Sequence, residues 1–224
     1  MERYFDTELD ELKKSVIEMG SLAEAAIMKS IEALKFRDAE IARGVIDADR
    51  AIDKLELLVD EKCIDLIARY QPMAKDLRLI TTGMKINAEM ERIADLAVDI
   101  AQRTLEIVEK PHLKPLVDIP KLTALAQSMI RMAIESFVKE DIELAKKVVL
   151  SDPEADRLRN AIQRELIDDY MVKDGATAPR AVQLLLIARF LERICDHTTN
   201  IAENVIYMVQ AEVVKHQPEK LADG

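Results

Sequence analysis

The chain has little with which to interrupt a helix: 5 glycines and 7 prolines in 224 residues. Aromatic residues make up only 4%, and tryptophan is absent. Alanine, leucine, isoleucine, glutamate, lysine and arginine dominate instead, which is the composition of long helices. No stretch approaches the ~18 uninterrupted apolar residues of a bilayer-spanning helix, and the opening Met1-Glu-Arg-Tyr-Phe-Asp6 has no apolar signal-peptide core. Positive charge is short as well. A net charge of −10 argues against nonspecific nucleic-acid binding, which needs a basic surface to replace counterions, and against adhesion to anionic lipid by charge alone. The two cysteines, Cys63 and Cys195, lie within helical patterns and lack metal-pair spacing. They are expected to be small buried hydrophobes in a reduced, cytoplasmic setting. With 49% hydrophobic residues the chain can still bury a sizeable core.

What the chain does have is a repeat. Glu91-Arg-Ile-Ala-Asp95 recurs as Glu192-Arg-Ile-Cys-Asp196, 101 residues on. Downstream, Ile100, Ala101 and Val108 recur as Ile201, Ala202 and Val209. Upstream the offset is 103: Ile31, Glu32, Asp38, Glu40, Ala42, Val45 and Asp49 return as Ile134, Glu135, Asp141, Glu143, Ala145, Val148 and Asp152. A shortened loop between the blocks accounts for the difference. A period near a hundred is too long for a solenoid and suits two fused units of ordinary domain size.

Apolar residues at spacings of three and four predict a helix over 8–36, another from Asp38 to about Tyr70, and a third over about 72–109. Pro72 suits a first helical turn. The Lys110–Pro115 stretch is the one strong linker signal. Three more helices are expected: Asp118 to Lys139, Asp141 to about Val172, and from Pro179 to about His216, with a turn at 173–179. Breaks or kinks are expected at Asp47-Ala-Asp49 and at Ser151-Asp152-Pro153. The expected fold is all-α: six long antiparallel helices in two tandem, pseudo-symmetric three-helix bundles, residues 1–110 and 111–216, with a disordered tail at 217–224.

Residues four apart on a helix share a face. Glu91 and Asp95 can therefore converge, as can Glu192 and Asp196. The middle helix of each unit adds Asp49 with Asp53, and Asp152 with Asp156, at the 103 offset. Four carboxylates facing one another across a helix pair would repel and resist ionisation. A multivalent cation would reverse that penalty, and oxygen-only ligation suits hard or intermediate ions such as Mg, Mn or Fe. The same residues admit a plainer reading. Asp49 and Asp152 have the look of helix N-caps, Pro153 being well placed after a cap, and Glu91 and Glu192 can pair with arginines on a neighbouring helix. That reading makes the chain a metal-free structural or interaction bundle. Spacing leaves both open. His197 points away from Asp196 and reads as a surface or interface residue; the methionines read as core filler. No phosphate-binding glycine loop and no nucleophile with a base is present, so a non-enzyme is expected.

The doubled unit, ERIADLAVDIA at 91–101 and above all ERICDHTTNIAENVIYM at 192–208 resemble the PhoU family. The resemblance covers residues 8–214. It implies a cytoplasmic regulator of phosphate uptake that restrains the importer and keeps the phosphate-starvation (Pho) response off when phosphate is plentiful. The implied partners are the ATPase subunit of the phosphate ABC importer and the phosphate-sensing histidine kinase, with membranes met only through partners; a homodimer stays open beside the monomer. It also implies multinuclear metal clusters, iron or zinc, at E(D)xxxD motifs: Asp49, Asp53, Glu91 and Asp95 in one site, Asp152, Asp156, Glu192 and Asp196 in the other. The copies differ at Asp99 against Asn200 and at Ala94 against Cys195, and Pro153 lies inside the second aspartate pair.

Overall fold

A computed structural model describes residues 2–214; His216 and the 217–224 segment lie outside the described residues. Six helices follow in order: α1 Glu2–Phe36, α2 Ala39–Tyr70, α3 Ala74–Ile107, α4 Asp118–Lys139, α5 Ile142–Glu165 and α6 Ala178–Gln210. Among the described residues there is no strand. The helix count, the turns and the linker are as the periodicity predicts.

The repeat is visible in the backbone. Arg37 ends α1 and Glu140 ends α4 in the left-handed conformation, at φ 56° and 55°. Each is followed by an aspartate that caps the next helix. Asp38 accepts from the backbone N–H groups of Glu40 and Ile41, and Asp141 accepts from that of Leu144. The N–H of Asp38 reaches back to the Ala33 carbonyl, and that of Asp141 to the Ser136 carbonyl, both at 2.9 Å. One turn has thus been built twice, with side chains satisfying the amide groups that a helix start leaves unpaired.

The expected breaks within α2 and α5 are corrected. Asp47–Asp49 lies inside an unbroken α2, and α5 runs through Pro153. The caps are Asp38 and Asp141, so Asp49 and Asp152 are mid-helix and their acids are free for another role. The irregular stretch of the second middle helix comes later, where residues 166–171 form a π-helical turn after α5. Helix α6 ends at Gln210, short of His216.

A single large apolar cluster runs through both copies. Its centre is the seam between α3 and α6, the most extensive helix–helix contact in the molecule. Ile86, Met90, Ile93, Ile100, Ile187, Leu191, Ile194 and Ile201 are fully buried. Burying each such side chain stabilises the fold by about 1.5–3 kcal/mol relative to leaving it exposed. Met19, Met129 and Met208 fill this core, whereas Met28 and Met73 are exposed. Helix α1 also meets α4, where Gly20 lets Ile134 approach: a Cβ there would lie 3.0 Å from the isoleucine side chain. The linker is held down. The Lys35 carbonyl meets the His112 ring, Arg180 donates to the Pro111 carbonyl, and Lys114 pairs with Glu165.

Asp38→Ala and Asp141→Ala should each cost about 1 kcal/mol in urea unfolding, the usual loss of an N-cap. Asp49→Ala should show no such loss.

Candidate metal centres between paired helices

The first set of acids lies where α2 faces α3. On α2, Asp49 and Asp53 are joined by Glu56 and Asp60, a stripe at spacings of four, three and four. On α3, Glu91, Asp95 and Asp99 follow Asn87 at steps of four. Glu56 and Asp60 are also an i,i+4 acid pair, but the repeat does not single them out, because the 103 offset sets Arg159 and Gln163 against them; Asn87 is not an acid and enters no acid pattern. Asn87 is fully buried and donates to the Glu56 backbone carbonyl at 2.8 Å and to the Asp60 carboxylate at 3.0 Å. Both of its donors are used, which fixes the amide's orientation and leaves its Oδ1 without a partner.

Charge crowding governs this set. Glu91 is pushed up to about 7, by partial burial first and then by Asp95 and Glu56, with Arg92 opposing. Asp95 is raised by burial, Asp53 and Asp99, with Glu91 and Arg92 opposing. Asp49 and Glu56 are raised too, again by burial first and by neighbouring acids second. Among the described residues no lysine or arginine closes an ion pair with any acid of this set.

The second set lies where α5 faces α6. Asp196 is pushed up to about 6, by burial and then by Glu192, Asp152 and Asp156. Asp152 is raised by burial and Asp156, and accepts a hydrogen bond from the Thr199 hydroxyl at 3.3 Å. Arg159 reaches across from α5, its Nη2 lying 3.2 Å from both Asp156 and Glu192. Pairing of the helix glutamate with a neighbouring arginine is therefore found at Glu192 and not at Glu91. An open cleft of about 580 Å³ adjoins this set, lined by Arg159, Gln163, Glu192, Arg193 and Asp196 among others.

The remaining sequence candidates separate from the acids. Cys195 is fully buried, its thiol raised by burial and by the nearby carboxylates; Cys63 is likewise buried and pushed up to about 12. His197 lies in the α3–α6 seam, its Nδ1 2.6 Å from Glu89. Burial alone would raise Glu89, but His197 and Asn200 outweigh it and hold the carboxyl below its ordinary value. Asn200 donates to Glu89 at 3.5 Å, so it belongs to the seam rather than to the second set. Asp99 acts on Asp95 and stays with the first.

Among the described residues, no three Asp, Glu, His or Cys side chains gather tightly enough to hold an ion as they stand. In donor chemistry the first set fits a hard or intermediate cation: oxygen atoms only, with Asp49, Glu56, Glu91 and Asp95 driven toward their neutral forms by burial and by their neighbours, and an orphaned amide oxygen nearby. In the second, a guanidinium already supplies positive charge.

The fold and these acids define a class: a duplicated three-helix protein with an E(D)xxxD pair on the middle and last helix of each copy. Comparison with known proteins names it. The PhoU domain profile matches residues 16–104 and 119–205. A phosphate-specific transport system accessory protein PhoU homolog from Aquifex aeolicus is 42% identical over 210 residues, covering 94% of this chain and 95% of that protein. PhoU from Escherichia coli K12 is 33% identical over 212 residues, covering 95% and 88%. The crystal structure of PhoU from Pseudomonas aeruginosa superposes with a TM-score of 0.88 at 34% identity, over 93% of this chain and all of that one. The regulatory PhoU protein of Streptococcus pneumoniae gives 0.87 at 28% identity, over 94% and 99%. This chain belongs to the PhoU family.

The sign of the pH dependence follows from Glu91. Its folded-state value lies above its unfolded 4.5, so ionising it disfavours the fold. That cost is absent below about pH 4.5, grows up to about pH 7 and is fully present above it. Glu91→Gln should therefore raise the melting temperature of metal-free protein at pH 8, and the gain should vanish at pH 4.5.

Proposed function

We infer that this protein is a regulatory adaptor of phosphate transport. It acts without catalysis as a negative regulator of phosphate uptake and of the Pho response. The observation that carries the reading is the family membership over nearly the whole chain, with relatives named as accessory or regulatory proteins of phosphate transport. The acid pairs at equivalent places in both copies support it. The partners in this reading are the ATPase subunit of the phosphate importer and the phosphate-sensing histidine kinase, met in the cytoplasm. No helix among the described residues is long and apolar enough to cross a membrane; in this reading the membrane is met through those partners. Helix faces offer the docking surfaces, as in other helical scaffolds.

The reading includes a metal, iron or zinc with Mg or Mn as alternatives. Asp49, Asp53, Glu91 and Asp95 would hold it in the first copy. The corresponding Asp152, Asp156, Glu192 and Asp196 are the second candidate set. Bound there, a multivalent cation would supply the positive charge that the crowded acids lack. It would tie α2 to α3, and α5 to α6, across acids that otherwise repel. A metal-free interaction bundle is the second reading, and the ungathered arrangement of the acids favours it.

Deletion of the gene should turn on phosphate-starvation genes in high phosphate; an unchanged transcript profile would refute the regulatory role. Elemental analysis of protein purified without chelator tests the metal. Glu91→Ala combined with Glu192→Ala should remove the ion and lower the melting temperature of loaded protein. A hundredfold excess of ion over Kd stabilises by ~2.7 kcal/mol. Unchanged metal content would leave the metal-free bundle.

A further inference from the structure

The two copies share a backbone but not a charge. At the 103 offset Glu56 of α2 corresponds to Arg159 of α5, and Asp60 corresponds to Gln163. At the 101 offset Asn87 corresponds to Ala188. Counting Asp99 with the first set, that set carries seven acids; the second carries four acids and one arginine, a formal −7 against −3.

Arg159 is placed to act as the cation of its own cluster. It is only partly exposed, at 29%, and its Nη2 bridges Asp156 on its own helix to Glu192 on the next. Its Nη1 donates to Asn160 at 2.6 Å, which fixes the plane of the guanidinium. Glu192, the more enclosed of the two acids at 16% exposure, loses its isolation through this contact. A bidentate-capable guanidinium, always charged, is well suited to such a bridge. The first set has no counterpart. Glu56 adds a negative charge at the equivalent position, Arg92 closes no ion pair with the acids, and the fully buried Asn87 leaves a carbonyl oxygen unmatched. That oxygen lies one helical turn before Glu91, on the same face.

We propose that the two carboxylate clusters are not equivalent: the Arg159 guanidinium serves as a built-in cation for the second, and only the first is left to recruit a multivalent cation from solution. The metal half rests on the reading under Proposed function; the Arg159 half stands on this structure alone. A doubled motif therefore does not make a doubled metal site. The second copy pairs α5 with α6 permanently, through a side chain. The first bridges its acids across α2 and α3 only when an ion is bound.

The charge exchange tests both halves. Chelator-treated wild type, Arg159→Glu, Glu56→Arg, Glu91→Gln and Glu192→Gln would be compared, first without metal by thermal melting at pH 8. Arg159→Glu should melt lower than wild type and Glu56→Arg higher. Arg159→Gln, which keeps the side-chain bulk, should fall between wild type and Arg159→Glu. No drop for Arg159→Glu would overturn the built-in cation. Mn²⁺ would then be added alone, and binding followed by equilibrium dialysis and by the paramagnetic signal of the ion. Wild type should bind at the first cluster, with Glu91→Gln and Glu56→Arg weakening binding roughly 10–100-fold and Glu192→Gln leaving it unchanged. Arg159→Glu should add a second class of sites. Equal losses from Glu91→Gln and Glu192→Gln would overturn the asymmetry. No Mn²⁺ uptake by wild type would overturn the metal reading and this proposal's metal half, while the metal-free melting order would still decide the role of Arg159.

Discussion

The apolar seam between α3 and α6 is the constraint on which the rest of the molecule depends. Each of these helices must bury one broad face against the other and against the first helix of its own copy. Isoleucine, leucine, alanine and methionine supply most of the buried residues on these two helices. The edge turned toward the middle helix is left to carry charge, and Glu91, Asp95, Glu192 and Asp196 are on it. The acids of α3 and α6 therefore sit beside the most extensive helix–helix contact, on helices rather than loops, which is where a site keeps its geometry. The few polar groups admitted to the seam pair with one another: Glu89 with His197 and Asn200, and Arg78 with the Met208 carbonyl at 3.0 Å. Buried polar groups left unpaired would weaken the joint between the copies.

The acid stripes on α2 and α3 disfavour the fold in the absence of a counter-ion. Like charges at helical spacing repel, and partial burial adds to the effect. Stability is a small difference between large terms, so residues of this kind need a compensating gain. Salt bridges elsewhere do not provide it. Glu140, held by Lys13 and Lys75, ties the α4–α5 turn to α1 and α3, but it lies far along the chain from the acid stripes. Compensation is local in the second copy, where Arg159 stands among the acids. In the first copy the stripe remains a demand on whatever cation the surroundings supply.

Much of this was readable from residue order. Periodicity located all six helices because their faces are amphipathic and their ends carry Asp, Pro or linker residues. The motif acids were found because four-residue spacing and the repeat both point to them. Pro153 misled, since an aspartate followed by proline has the pattern of a helix start. Packing of α5 against α4 and α6 overrides the local cost of an interior proline, usually ~3 kcal/mol or more. The π-helical turn at 166–171 shifts hydrogen bonds by one residue without changing composition, so no sequence pattern announces it. Glu56 and Arg159 escape notice in the sequence because the repeat sets an acid in one copy against a base in the other, so the pair looks like ordinary divergence. Their importance emerges only once two helices are placed side by side.

That oversight bears on how duplicated proteins divide their labour. The turn at Arg37–Asp38 and its copy at Glu140–Asp141 kept the same backbone, cap and hydrogen bonds, because the fold tolerates little change there. The position held by Glu56 and Arg159 faces partly into solvent, where reversing a charge leaves helix and core intact. Function resides in sites placed on a fold rather than in the fold itself. Here the scaffold is twofold and the electrostatics are not. A motif match scores both copies alike, since it reads the acids and ignores the residue that decides whether they need an ion.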